Sequence, residues 1–287
     1  MIKKLKSLVI SHWLLVVILI IASFLRLYNL MPADNNGGFL PPGLYPDEAM
    51  NGNNIVEAME QRDLKVFYPE NFGREGLFIN IQGGFIRHIV LISPIGHIYE
   101  PGVLRLPSAI FGILTVLGLY FLTKKLFMNY DSLFAIHNSK AVALLSAFLL
   151  ATSFWHINFS RIGFRAIMAP AFLVWALYFL LKSLNAKRFT LYAVIAGLIY
   201  GLGFYSYIAY RATPLLILVI FFLALKTHSN ILKNVRMSFL IFSAVAVFTV
   251  LPLGIYFWNH PADFLGRTAG ISIFSSEQPF RDFGFNI

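Results

Sequence analysis

The chain contains no cysteine and few acids: its 23 lysines and arginines outnumber its 13 aspartates and glutamates. Without cysteine it can form no disulfide, no thiolate metal site and no thiol nucleophile. Only 13% of its 287 residues are charged, whereas 58% are hydrophobic, which is more apolar surface than a soluble core of this size requires. We therefore interpret the net charge of +10 as positive residues that orient the protein in a membrane and contact anionic lipid, and not as a surface that binds nucleic acid. We predict an all-α polytopic membrane protein with no nucleic-acid partner.

Seven long apolar runs predict about seven transmembrane helices. They lie at residues 8–30, 103–122, 141–158, 167–181, 189–209, 212–225 and 237–257. The first run has a basic start but lacks a small-residue cleavage site, so we expect it to be retained as a span. An eighth run, 76–93, carries Asn80, Gln82 and Arg87, and we predict a helix lying on the membrane surface there.

The placement of charge orients this bundle. With a cytoplasmic N-terminus, ten of the 11 lysines fall on the inner side, and only Lys65 falls outside. Ten of the 12 arginines fall on the outer side or at the outer ends of spans, as do all the acids except Asp131. Topology rules do not predict outer arginines, but the planar guanidinium suits phosphate and carboxylate. We expect a plasma-membrane protein whose functional face is extracytoplasmic.

We predict one transmembrane module at 1–257, followed by an outer segment at 258–287 that begins a further C-terminal part. The first outer loop, 31–102, is the longest polar stretch between spans and is predicted to hold interfacial helices at 47–61 and 76–93. In the first of these helices, apolar residues share one face that would rest on the membrane. They are Ala49, Val56 and Met59.

Asp47 and Glu48 are adjacent acids at the start of the first outer helix. One interpretation is structural, because acids are favoured at helix N-termini. The pair does not suit a glycosidase, whose two carboxyls must flank a bond at a separation of roughly 5–10 Å, since neighbouring helix residues point in different directions. A reaction with one carboxylate base and a phosphate leaving group, which needs no protonation, fits better. Transfer of a sugar from a lipid phosphate is such a reaction.

Five stretches, in this order along the chain, resemble the membrane-embedded glycosyltransferases of the C-type fold. Within that group they are most similar to the superfamily of dolichyl-phosphate-mannose protein mannosyltransferases and aminoarabinose transferases. The stretches are Tyr45–Ala49, Phe67–Phe78, Arg105–Ala109, Ser160–Arg165 and Gly197–Arg211.

The resemblance implies an inverting transfer from a polyprenyl-phosphate sugar, without a bound metal or other cofactor. It implies that Asp47 is the catalytic acid and Glu48 its neighbour. Two departures stand out. Relatives have a lysine before proline where this chain has Arg74-Glu75-Gly76, so Arg74 is expected to meet the lipid phosphate, and relatives often have Asp-Pro where this chain has Ala169-Pro170.

The remaining candidates for substrate binding are charged or aromatic residues of these stretches: Arg74, Glu75, Arg161, Arg165, Tyr207, Tyr210 and Arg211. For each arginine the alternative is pairing with an outer acid, and for the tyrosines it is packing. The expected partners are a polyprenyl-phosphate sugar, membrane lipid and an acceptor that is a protein, a lipid or a glycan. Two alternative functions stay open, a transporter or lipid flippase and a catalytically inactive relative.

Overall fold

The computed structural model describes residues 2–30, 41–70, 73–92, 101–128, 139–184, 188–227 and 232–264. Most of the predicted outer segment at 258–287 lies outside these residues, as does the turn-rich part of the first outer loop at 31–40. The helices in chain order are α1 (Ile2–Leu27), α2 (Pro46–Gln61), α3 (Leu77–Ile92), α4 (Pro101–Met128), α5 (Ser139–Ala151), α6 (Phe154–Arg161), α7 (Met168–Leu184), α8 (Phe189–Gly203), α9 (Thr213–Thr227) and α10 (Leu232–Asn259). Two 3₁₀ turns, Arg165–Ile167 and Ile208–Ala212, lead into α7 and α9.

Within the described ranges, four helical segments are long and apolar enough to cross a membrane: Pro101–Phe127, Arg165–Leu184, Ile208–Lys226 and Leu232–Asn259. Helices α5 and α6 make a fifth if the pair, bent by 56°, is one span. Trp13–Leu27 and Phe189–Gly203 are shorter apolar helices. The prediction of an all-α membrane protein is confirmed, while the count of seven spans stays a prediction.

A fully buried arginine stabilises the bend between α5 and α6. A helix that ends inside a protein leaves its last carbonyls without partners. Arg26, near the end of α1, donates to two of these, Ala151 O at 3.0 Å and Leu150 O at 3.3 Å. It also contacts His156 Nδ1 at 2.7 Å and Ser160 Oγ at 3.2 Å on α6. Through these contacts Arg26 holds α6 against the C-terminal end of α1.

Helix α4 lies at the centre of one half of the bundle, where it packs against α1, α5, α6 and α7, and α8 is central to the other half, between α7 and α10. The small residues of α8 allow this close approach. A Cβ on Gly197 would lie 2.6 Å from the carbonyl oxygen of Phe242 on α10. The Gly-x-x-x-Gly spacing of Gly197 and Gly201 therefore permits close packing of α8 against α10.

The first outer loop folds onto the start of α4. Its core contains Ile55 of α2, Tyr68 of β1 (Phe67–Tyr68), Ile79 and Ile86 of α3, and Leu104 of α4. The helices predicted at 47–61 and 76–93 are both present, within one residue at each end. Their position at a membrane surface stays a prediction.

The buried face of α2 is more polar than its sequence pattern suggests. Asn51 and Asn54 are 4% and 3% exposed, whereas the apolar Met59 is 40% exposed. The asparagines turn inward because a buried arginine of the neighbouring hairpin needs their side-chain oxygens as acceptors, as described below.

That hairpin pairs β1 with β2 (Arg74–Glu75) in antiparallel register, with Phe67 opposite Glu75 and Tyr68 opposite Arg74. Glycines enclose the second strand. Gly73 has φ +80°, which favours glycine. A Cβ on Gly76 would collide with the backbone oxygens of Lys65 and Val66. The sequence Gly-Arg-Glu-Gly thus places two buried charged side chains at one tight turn of the chain.

Candidate active site

The two acids at the start of α2 have different environments. Pro46 is the first residue of the helix, and its fixed φ suits that position. Glu48 is 1% exposed, whereas Asp47 is half-buried. The Glu48 carboxylate caps the start of the helix, because its Oε2 accepts a hydrogen bond of 2.9 Å from Tyr45 N.

Four donors surround the Glu48 carboxylate. Oε1 accepts from Arg105 Nε at 2.7 Å and from the backbone N–H of Gly163 at 2.6 Å. Oε2 accepts from Arg105 Nη2 at 2.9 Å as well as from Tyr45. A carboxylate has about four acceptor positions, so these contacts saturate Glu48. They also join α2 to α4 and to the loop between α6 and α7.

Asp47 lies next to this saturated acid and near a buried arginine. Burial lowers the pKa of Arg74, and the negative charge of Asp47 opposes that shift. Because Asp47 is half-buried, a molecule approaching from outside the protein can reach it. Asp47 is therefore the more accessible of the two acids.

Arg74 is fully buried and is held by the two inward asparagines of α2. Nη1 donates to Asn51 Oδ1 at 2.7 Å, and Nη2 donates to Asn54 Oδ1. Burial and, to a smaller extent, the charge of Arg165 lower the pKa of Arg74 to about 10, while the charges of Asp47 and Glu70 oppose the shift. The guanidinium Nε has no partner among the described residues. Arg74 is thus a buried cation with a donor to spare.

Glu75 is 2% exposed and binds two arginines. Its Oε2 lies 3.3 Å from Arg165 Nε, and its Oε1 lies 3.2 Å from Arg211 Nη2. Arg165 precedes α7 and Arg211 precedes α9, so one carboxylate joins the N-terminal ends of two helices to the hairpin. Two cations on one anion leave an excess positive charge, and Arg74 adds to it.

Aromatic rings cover the guanidinium groups of this cluster. Arg165 lies 5.4 Å from the ring centre of Tyr207, and Arg211 lies 4.8 Å from those of Phe257 and Phe264. Such cation–π contacts stabilise the arginine side chains beside these rings. The structure therefore brings together six of the nine candidates from the sequence: Asp47, Arg74, Glu75, Arg165, Tyr207 and Arg211; Glu48 lies beside Asp47.

Arg161 and Tyr210 lie away from this cluster. Arg161 donates to Leu25 O at 2.9 Å and Tyr28 O at 2.6 Å, so it ties α6 to the end of α1. Tyr210 is 2% exposed in the apolar core formed by α7 to α10. For Tyr210, packing is what the structure shows.

Sequence reasoning missed residues that support the candidate acids. Arg105, Asn51 and Asn54 are buried and contact Glu48 or Arg74. Arg105 was visible as an arginine opening the second span, but its partner lies 57 positions away. The asparagines gave one signal, a cluster of three at positions 51, 53 and 54 of one helix.

No group of three or more histidine, aspartate or glutamate side chains that could hold a metal occurs among the described residues, and no step below depends on a metal.

A family model described as dolichyl-phosphate-mannose-protein mannosyltransferase matches residues 100–256, more than half of the chain. The match includes Arg105, Arg165 and Arg211 but begins after Asp47 and Arg74. No curated protein matches the chain significantly.

The fold is similar to solved structures of an archaeal oligosaccharyltransferase from Archaeoglobus fulgidus. A complex of the protein AglB with an inhibitory peptide and a dolichol-phosphate has a TM-score of 0.65 at 23% identity, covering 84% of this chain and 29% of that one. An apo form has a TM-score of 0.67 at 22% identity, covering 96% and 34%, and a complex with Zn and sulfate has 0.66 at 22% identity, covering 95% and 36%. At these identities the likeness concerns the fold, and the chain spans about a third of the length of these proteins.

Proposed function

The chain belongs to the dolichyl-phosphate-mannose-protein mannosyltransferase family, and from that premise we propose that it transfers a sugar from a polyprenyl-phosphate donor to an acceptor hydroxyl. The transfer takes place on the outer face of the plasma membrane, inverts the anomeric centre and uses Asp47 as the base. The observation that carries this proposal is the contrast between the two acids. Four donors saturate Glu48, whereas half-buried Asp47 lies beside a cluster of arginines.

The proposed step is a single displacement. Asp47 accepts the proton of the acceptor hydroxyl, and the oxygen attacks the anomeric carbon on the face opposite the phosphate. The carbon–oxygen bond to the phosphate breaks, and the electron pair leaves with the polyprenyl phosphate. Attack from the opposite face inverts the configuration, and a phosphate leaves as an anion without needing a second acid. The step therefore needs one carboxylate as base and no second carboxylic acid.

Arg74, Arg165 and Arg211 bind the donor phosphate and stabilise it as its charge increases. Fixed cations in a site that excludes most water lower the energy of such a transition state. Glu75 holds Arg165 and Arg211 in place beside the proposed phosphate position. Tyr207, stacked against Arg165, lies where it can contact the donor sugar or phosphate. The dolichol-phosphate in the archaeal neighbour supports a lipid-phosphate donor; the acceptor is a protein, a lipid or a glycan.

The test is transfer from a labelled polyprenyl-phosphate sugar by the purified protein in lipid. The Asp47→Asn variant should lose transfer by about 10²- to 10⁴-fold, the contribution of a positioned general base. Asp63→Asn, an exposed acid at the other end of α2, is the control and should transfer normally. Full activity of a folded Asp47→Asn variant would refute the assignment. Uptake of the labelled lipid into vesicles without a glycosylated product would support a transporter instead.

Because the chain has no cysteine, its orientation can be tested with single introduced cysteines. We propose a cytoplasmic N-terminus, so Leu64→Cys should react with an impermeant thiol reagent added outside intact cells. Lys226→Cys should react only after the membrane is opened. The opposite pattern would place the candidate site on the cytoplasmic face.

A further inference from the structure

A cavity lies between α2 and α3, at the end of α2 that is far from Asp47. It has a volume of about 720 Å³ and is lined by eleven residues. The floor is apolar and includes Ile55, Ala58 and Ile79, all at most 3% exposed. Such a volume accommodates a small headgroup and the first carbons of a chain, which is typical of ligand sites.

The charged side chains that line the cavity are all positive. Arg62 and Arg87 both line it, and no carboxylate is among its lining residues. Neither arginine forms an ion pair with any residue in the described ranges. The polar groups between them are already engaged, because Tyr68 OH donates to Asn80 Oδ1 at 3.0 Å and Asn80 Nδ2 donates to Lys65 O at 3.1 Å. The two guanidinium groups are therefore the donors left for a ligand.

Arg62 has an unusual backbone. It closes α2 with φ 54°, a left-handed conformation that glycine or asparagine usually occupies, and its N–H bonds to Ala58 O. An arginine adopts this conformation less readily than glycine does. Strain of this kind concentrates at functional positions. Arg62, which ends the helix in this way, lines the cavity.

Apolar side chains surround the same mouth. Leu64 is 64% exposed and Met59 is 40% exposed, and both line the cavity. In a protein with several apolar helices long enough to span a membrane, exposed apolar groups beside arginines match the headgroup region of a bilayer. The combination of an apolar floor, an apolar rim and two unpaired cations selects an amphiphile with an anionic head.

We propose that this α2–α3 cavity binds a bilayer phospholipid with an anionic headgroup, its phosphate between Arg62 and Arg87 and its acyl chain along the apolar floor. The occupant is not the sugar donor in its reacting position. Asp47 and Arg62 stand at opposite ends of α2, fifteen residues or about 22 Å apart along the axis. A sugar on a phosphate held at Arg62 does not reach Asp47. The lipid instead anchors the C-terminal end of α2 in the membrane.

The test measures lipid binding, so it is independent of glycosyl transfer. The purified protein is titrated with phosphatidylglycerol, and bound lipid is counted by native mass spectrometry, with zwitterionic phosphatidylcholine as reference. The Arg62→Gln/Arg87→Gln variant should bind phosphatidylglycerol roughly thirtyfold more weakly, the effect of two arginines near an anionic lipid. Arg188→Gln/Arg236→Gln removes two exposed arginines elsewhere and should bind it as the unmodified protein does.

A second variant tests the cavity without altering its charge. No atom lies within 4 Å of where a Cβ on Gly84 would be, so Gly84→Leu is compatible with the fold and fills the cavity. It should abolish the preference for phosphatidylglycerol while leaving the thermal unfolding midpoint unchanged. Unaltered binding by both the double variant and Gly84→Leu overturns the proposal. So does an equal loss in the control, or displacement of the lipid by glycerol phosphate or polyprenyl phosphate at the same concentration.

Discussion

Glu48 and Arg105 form a buried bidentate ion pair, with Nε–Oε1 at 2.7 Å and Nη2–Oε2 at 2.9 Å. Both side chains are at most 1% exposed. The pair joins the first turn of α2 to the first turns of α4, and Gly163 joins the same carboxylate from the loop before α7. The position of Asp47 therefore depends on three parts of the chain that are far apart in sequence.

The first prediction concerns this pair. Glu48→Ala should lower the free energy of unfolding by about 3–5 kcal/mol, because it leaves the Arg105 cation buried without its partner. The double variant Glu48→Gln/Arg105→Met should lose less, since no uncompensated charge remains. Glu60→Ala removes an exposed acid of the same helix and serves as control. Denaturation in detergent measures all three, and a Glu48→Ala protein as stable as the control would contradict the prediction.

The second prediction concerns the proposed phosphate site. Arg211→Gln should lower kcat/KM for the polyprenyl-phosphate donor about ten- to hundredfold, because a hydrogen bond from a charged group contributes about 1.5–3 kcal/mol. Donor kinetics should show both a higher KM and a lower kcat, because Arg211 is proposed to bind the phosphate and to stabilise its increasing charge. Arg236→Gln, an exposed arginine of α10, should leave the kinetics unchanged. Equal kinetics for the two variants would remove Arg211 from the donor site.

The third prediction concerns the glycine that closes the hairpin. Gly76→Ala should destabilise the protein by about 1–3 kcal/mol, because the added methyl group collides with the backbone oxygens of Lys65 and Val66. Transfer activity should fall with stability, since Arg74 and Glu75 move with the hairpin. Gly84→Ala is the matched control, as its methyl group meets no atom within 4 Å. The comparison needs thermal unfolding and activity on the same preparations.

The fourth prediction concerns the polar face of α2. Asn51→Ala should cost about 1–3 kcal/mol of stability, because Arg74 Nη1 and Gly163 O both lose a buried partner. Asn53→Ala changes an exposed asparagine two positions away and should cost less than half as much. If the two variants unfold at the same temperature, the inward asparagines do not hold Arg74.

The helices of this protein follow from local pattern, which is why sequence predicted them well. Apolar runs long enough to span a bilayer determine the membrane class, and the ends of the two outer helices were predicted within one residue because turn residues and Pro46 mark them. The ordered stretches also indicated the family that the match over residues 100–256 shows. The number of spans depends on helix bending, such as the 56° break after Ala151, which hydropathy does not resolve.

What the sequence by itself determined was the class of protein, its family and a short set of charged candidates in the first outer loop and at the helix ends. Only the tertiary structure distinguished Glu48, saturated by four donors, from its neighbour Asp47, and placed Tyr210 in the apolar core. The physical reason is that a buried charge is defined by its partners. The side-chain partners of Glu48, Arg74 and Glu75 come from positions between 20 and 136 residues away, a separation at which no local pattern operates.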